Sequence, residues 1–127
     1  MKLALKRSEN ALQRHPSNIF CKAVCAVALE LSDRRQEALF LCKEVKQTRP
    51  ADPQILAHLH NVYQRAGLHA EVTSIYEVAL EEDRECEENG VSLFLALAAE
   101  ARLVRQQQVA LQLYRQFSKA RYLHWAR

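Results

Sequence analysis

Cys21 and Cys25 stand four residues apart, a spacing that puts two thiols on one face of a helix and could hold half of a metal site. No Cys-x-x-Cys and no second pair of ligands completes it. His58 and His60 are two apart, so a helix points them to different faces, and His15, His69 and His124 are scattered. Buried packing is therefore the expected role of Cys25 and Cys42, because free cysteine is among the most buried residue types. Hydroxyl nucleophiles fare no better, since none of the serines or threonines sits in a Gly-x-Ser-x-Gly elbow. The acidic run Glu81, Glu82, Asp83, Glu85, Glu87 and Glu88 could chelate a cation or receive a basic partner, but it reads as a solvated helix end and loop. Arg115, Lys119, Arg121 and Arg127 could touch RNA, yet no clustered aromatics accompany them, so direct nucleic-acid recognition is disfavoured. No catalytic, cofactor-binding or metal-binding set emerges.

Composition narrows the classes further. In 127 residues there are two glycines, Gly67 and Gly90. A P-loop, a dinucleotide fingerprint or an acetyl-CoA cradle needs clustered glycines, so phosphate-cradling enzymes are excluded. The longest apolar stretch without a charge, Val91 to Ala99, is too short to cross a bilayer. The basic residues near the amino terminus precede no apolar run, so no secretory signal is expected, and Glu9 argues against a presequence. With four cysteines and no export signal, the expected compartment is the cytoplasm. Net charge is +3, distributed as +5 over residues 1–50, −7 over 51–90 and +5 over 91–127. That layout is not the single cationic face of a phosphate binder, and it suits docking against a complementary protein.

These side chains need elements to position them, and periodicity supplies the elements. Ala4, Ala11 and Pro16 recur 34 residues on as Ala38, Val45 and Pro50, then as Val72, Ala79 and Arg84, with Tyr76 in an aromatic slot. A last shift, lengthened by four, gives Ala110, Phe117 and Tyr122, with Tyr114 in the aromatic slot. The extra residues are placed near Glu87–Gly90, where Asn89-Gly90 reads as a turn dipeptide. Helices are predicted near 3–14, 18–31, 34–48, 53–66, 69–85, 90–104 and 107–119, with another starting near 121. Asp52 before Pro53 marks a helix start, and Asp33 with Gln36 has the spacing of a capping box.

The 34-residue pattern resembles the tetratricopeptide repeat, a pair of antiparallel helices A and B that stack into a solenoid. Ala26 and Leu29, then Leu56, Leu59 and Tyr63 with Gly67 at the turn, then Phe94, Leu97 and Ala98 sit at its packing slots. Lys22, His60, Ser8 and Cys42 depart from it. The resemblance implies an all-α solenoid: the second helix of one repeat at 1–16, repeats at about 17–52, 53–88 and 89–122, and the start of a further helix at 121–127. Such a chain reads as a piece of a longer array. It also implies that A helices line a groove containing Phe20, Ala23, Val27, Gln54, Ala57, His58, Asn61, Leu95 and Ala99. This mostly apolar surface suits an amphipathic helix better than a charged tail. The Lys and Asn pair that clamps a chaperone's terminal carboxylate is not found on the A helices; Lys6…Asn10 lies on a B helix.

Ser74-Ile-Tyr-Glu-Val-Ala-Leu, Ser92-Leu-Phe-Leu-Ala, the run Gln106 to Phe117 and Tyr122-Leu-His-Trp125 resemble the amino-terminal repeats of the auxiliary, non-catalytic subunits of N-terminal acetyltransferase B complexes. So does the segment from Gln36 to Val45. The resemblance implies a scaffold that wraps a small catalytic subunit and helps place it at the ribosome. The catalytic partner acetylates nascent chains beginning with Met followed by an acidic residue or its amide. The expected protein contacts are Phe20, Val27, Gln54, His58, Asn61, Leu95, Tyr122 and Trp125. No cofactor, small-molecule substrate or membrane is implied, and the chain itself is not expected to be an enzyme. The competing expectation is a tetratricopeptide adaptor of another cytoplasmic complex. Trp125 is expected to pack on the helix that carries Tyr114 and Phe117.

Overall fold

The computed structural model describes the backbone of residues 2–126 and the side chains of residues 4–126. Eight helices fill the described residues: α1 (Lys2–Arg14), α2 (Ile19–Leu31), α3 (Arg35–Gln47), α4 (Pro53–Arg65), α5 (His69–Glu82), α6 (Glu87–Ala99), α7 (Leu103–Phe117) and α8 (Ala120–Trp125). Each helix packs on the next in sequence, and α2 also packs directly on α4. One apolar core runs through the array, including Leu29, Cys42, Leu56, Leu59, Tyr76, Leu93, Leu97 and Leu113. The arrangement is an all-helical helix–turn–helix array.

Local chemistry sets the starts and stops. At the head of α4, Asp52 accepts from the Gln54 N–H at 2.9 Å and Pro53 follows, where its missing N–H costs nothing. At the head of α2, Asn18 accepts from the Cys21 N–H at 3.0 Å. Three turns share one geometry, with the chain left-handed at Asp33, Gly67 and Ala101, 34 residues apart. Just beyond each, an amide reaches back to close the turn: Arg34 to the Leu29 carbonyl, Leu68 to Tyr63 and Arg102 to Leu97, at 2.8–3.0 Å. These are Schellman caps, which satisfy the last carbonyls of one helix and swing the chain into the next.

Asp33 therefore closes α2 instead of capping α3. The position before α3 is Arg34, which makes no side-chain cap bond, so the expected capping box does not form.

Nor is there a four-residue shift. α2, α4 and α6 begin at 19, 53 and 87, and α3, α5 and α7 at 35, 69 and 103, all in steps of 34. Helix α6 starts at Glu87 where 90 was expected, and α7 at Leu103 where 107 was expected. Asn89-Gly90 lies inside the first turns of α6 and is buried. The dipeptide serves packing there. The Asn89 amide donates to the Ala51 carbonyl at 2.8 Å, tying α6 to the loop before α4. Gly90 lets Leu113 approach, for a Cβ at that position would lie 2.5 Å from a Leu113 methyl.

Candidate protein-docking face

The exact 34-residue step puts equivalent side chains in rows. Phe20, Gln54 and Glu88 are equivalent, as are Val27, Asn61 and Leu95, and each pair seven apart on one helix shares a face. Phe20 and Leu95 are among the large apolar side chains left open, 42% and 58% exposed. Gln54, Ala57, Asn61 and Ala99 are exposed, while Val27 and His58 are half-buried. The rings of Phe20 and His58 meet edge to face with centroids 5.7 Å apart, joining the α2 and α4 parts of the row. Burial lowers the pKa of His58, so it is neutral at neutral pH and adds no charge to the face. Ala23 is the exception to the expected lining: it is fully buried, its small side chain accommodating close packing of α2 on α4.

Between α4 and α6 the packing is different. The two helices approach less closely than α2 and α4 do, and a cleft of about 270 Å³ opens beside His60, Gln64, His69, Val72, Leu95, Ala96 and Ala99. His60 replaces a small residue here, as Ala26 is at the equivalent place on α2. Its Nδ1 shares a 2.9 Å hydrogen bond with the Tyr76 hydroxyl, and the rings stand edge to face. The imidazole acts as a wedge. The departure at His60 was legible in the sequence, but the opening beside it was not, and neither was the part played by Gln64.

Tyr122 and Trp125 take other roles. Tyr122 is fully buried, with its hydroxyl on the Glu87 carboxylate. It serves packing, and it offers no surface. Trp125 is half-buried and stacks on Phe94 of α6 with centroids 4.6 Å apart, meeting Tyr122 edge to face. Trp125 was expected on the helix of Tyr114 and Phe117; α8 does pack on that helix, but the ring that stacks on the indole is Phe94 of α6, and Tyr114 is exposed.

Charge falls mainly on other faces and is largely internal. Glu9 of α1 meets Arg34 at 3.3 Å, and Lys46 of α3 meets Glu71 of α5. Arg49 reaches Glu81 at 2.8 Å and Glu82 at 2.6 Å, and Glu77 of α5 pairs with Arg105 of α7 at 2.8 Å. Glu87 receives Lys119 at 2.7 Å and Arg121 at 3.3 Å. Part of the basic–acidic–basic layout of the sequence is thus paired off between helices two apart in the chain. Glu81, Glu82 and Glu87 of the acidic run are paired, and so are Lys119 and Arg121, while every member of the run but the half-buried Glu87 stays exposed as expected of a helix end and loop; Arg127 lies outside the described residues. Exposed pairs of this kind add little stability, so the ladder bears on stacking order more than on stability.

Cys25 and Cys42 are buried in the core as expected. Burial pushes the Cys42 thiol up to about 12 and raises Cys25, with Glu9 adding to the latter. Among the described residues no three His, Cys, Asp or Glu side chains come together to hold a metal. No helix there is long and apolar enough to cross a membrane. What the face can do chemically is bind: it presents neutral and apolar side chains on a row of stacked helices.

A family model described as "Psidin, N-terminal TPR repeats region" matches residues 1–127. The rat "N-alpha-acetyltransferase 25, NatB auxiliary subunit" is 29% identical over 125 residues, which is 98% of this chain and 13% of that protein. The "Phagocyte signaling-impaired protein" of Drosophila pseudoobscura is 29% identical over 123 residues, 97% of this chain and 13% of that protein. A Caenorhabditis elegans protein, "N-terminal acetyltransferase B complex subunit NAA25 homolog", is 26% identical over 127 residues, 98% of this chain and again 13% of that protein. The chain spans about an eighth of the length of these relatives.

Proposed function

Because the chain belongs to the family of Psidin N-terminal TPR repeat regions, we propose that it acts as part of the non-catalytic auxiliary subunit of an N-terminal acetyltransferase B complex. In this reading it binds the catalytic subunit and supports acetylation of nascent chains in the cytoplasm, at the ribosome. The chemistry belongs to the partner, and this stretch contributes contact surface. The match of the family model along the whole chain carries the proposal, and relatives named as auxiliary subunits of that complex support it. The uncharged centre of the helix row gives it a physical means. The division into repeats at about 17–52, 53–88 and 89–122 belongs to the same reading, supported by the 34-residue step of α2, α4 and α6. A tagged, intact parent protein purified from cells should bring down an acetyltransferase catalytic subunit. Recovery of chaperones alone would overturn the proposal in favour of an adaptor of another kind.

A further inference from the structure

Three features of the α2–α4–α6 row describe what lies on it. The centre is uncharged: Val27, Asn61 and Ala57 carry no charge, and neither does the neutral His58. The cleft between α4 and α6, about 270 Å³, is below the usual range of small-molecule pockets and of the order of a single large apolar side chain. Its walls include Leu95, Ala96 and Ala99. The margins of the row carry opposite charges. Glu88 shares the face of Leu95, is exposed, and makes no ion pair among the described residues. Arg65 shares the face of Asn61 and His58 and is half exposed, its one carboxylate neighbour being Glu30 at 3.9 Å. Arg35 already holds that carboxylate at 3.0 Å, leaving the Arg65 guanidinium open to a further anion.

We propose that this row seats one amphipathic helix of the acetyltransferase catalytic subunit. That helix sets a large apolar side chain into the α4–α6 cleft, with a basic residue towards Glu88 and an acidic residue towards Arg65. The proposal rests on the auxiliary-subunit reading. An amphipathic helix fits because an apolar centre with charged margins matches its own cross-section. A charged tail has nothing to meet at the centre, where burial of its charges would be uncompensated. Charges at the margin set orientation and encounter rate, and the cleft supplies the anchor.

The test uses the full-length parent protein with its catalytic subunit. A benzophenone amino acid is placed at position 95, and Glu88→Lys, Arg65→Glu and Ala99→Leu are made separately. Photolysis should cross-link position 95 to the catalytic subunit. Ala99→Leu, which fills the cleft from within, should weaken binding by roughly thirtyfold, the size expected of a central anchor. Each charge reversal should slow association several-fold and blunt its salt dependence, beyond any loss of folded protein seen on melting, because Arg65 neighbours Glu30 and Glu88 lies in the first turn of α6. Cross-links that stay within the parent chain, or form to nothing, would overturn the inference. So would unaltered affinity in all three variants. A wild-type parent that captures no catalytic subunit would instead overturn the auxiliary-subunit reading itself.

Discussion

At Glu87 a single carboxylate gathers Lys119, the Tyr122 hydroxyl and Arg121, and those contacts, Lys119 first, hold its pKa below the ordinary 4.5. A depressed folded value means that the stabilisation is present above the unfolded pKa and is lost as pH falls through the folded one. His58 and His60 are likewise lowered from 6.5, chiefly by burial, so protonating them also opposes folding. Melting followed against pH should therefore fall in two stages, one below about 6.5 and another below about 4.5. Glu87→Gln should lower the melting temperature at neutral pH and remove part of the lower stage; an acid profile identical to wild type would show that the cluster contributes nothing. The cysteines give a second expectation. With its pKa near 12, Cys42 is thiolate in about one molecule in 10⁴ at pH 8, and it is also buried. A disulfide reagent should react first with the half-buried Cys21 and Cys86, and with Cys25 and Cys42 only on unfolding. Four equally fast thiols would contradict the packing. The core role of Cys25 and Cys42 could be read in advance because both fall on periodic packing slots. The burial of Tyr122 could not, since it depends on Glu87, 35 positions away.

Helix ends show where the repeat was legible and where it was not. The 34-residue step is carried by backbone geometry as much as by side chains, for Asp33, Gly67 and Ala101 occupy the same left-handed position. Only one of the three is glycine, so the pattern of residue types understates the pattern of conformations. A left-handed residue with a Cβ is strained by roughly 1 kcal/mol or somewhat more. Ala101→Gly should thus stabilise the chain by about 0.5–1 kcal/mol, and Gly67→Ala should cost a similar amount, read from urea midpoints. No atom lies within 4 Å of a Cβ on Gly67, so that cost is conformational alone. Opposite shifts, or none, would mean that the turns are not set by these caps. The missed boundary at α6 has the converse origin. Asn-Gly is a strong turn signal when only neighbours in sequence are considered, but here Leu113 and the Ala51 carbonyl decide. A glycine required for close approach and a glycine required for a turn look alike in sequence.

Across the whole molecule, the 34-residue period led to the helical array that the structure shows, while the charge blocks were harder to read. They looked like docking patches because sequence does not show that residues 25 to 35 apart lie side by side on neighbouring helices. Apolar side chains are left open as well. Five of the nine exposed large apolar side chains among the described residues lie on α7 and α8: Leu103, Val104, Leu111, Tyr114 and Leu123. Val104 and Leu111 are seven apart and share a face of α7. In a solenoid each repeat is covered by its neighbour, and a helix face of this kind is one that a following helix would cover. For the 127 residues produced by themselves, the available cover is another copy, because contiguous exposed apolar surface drives association. The 127-residue chain should therefore sediment as a mixture whose average mass rises with concentration in the micromolar range. Placing charge on the face with Val104→Lys and Leu111→Lys together should return it to monomer, since a charge buried in an apolar contact finds no partner. Neither substitution touches the core, so the melting temperature measured at low concentration should change little. A wild-type chain that stays monomeric at every concentration would mean that this face is not sticky enough to matter. A double variant that still associates would move the contact to the other exposed residues, with Phe40 of α3 and Leu95 of α6 the next to be charged.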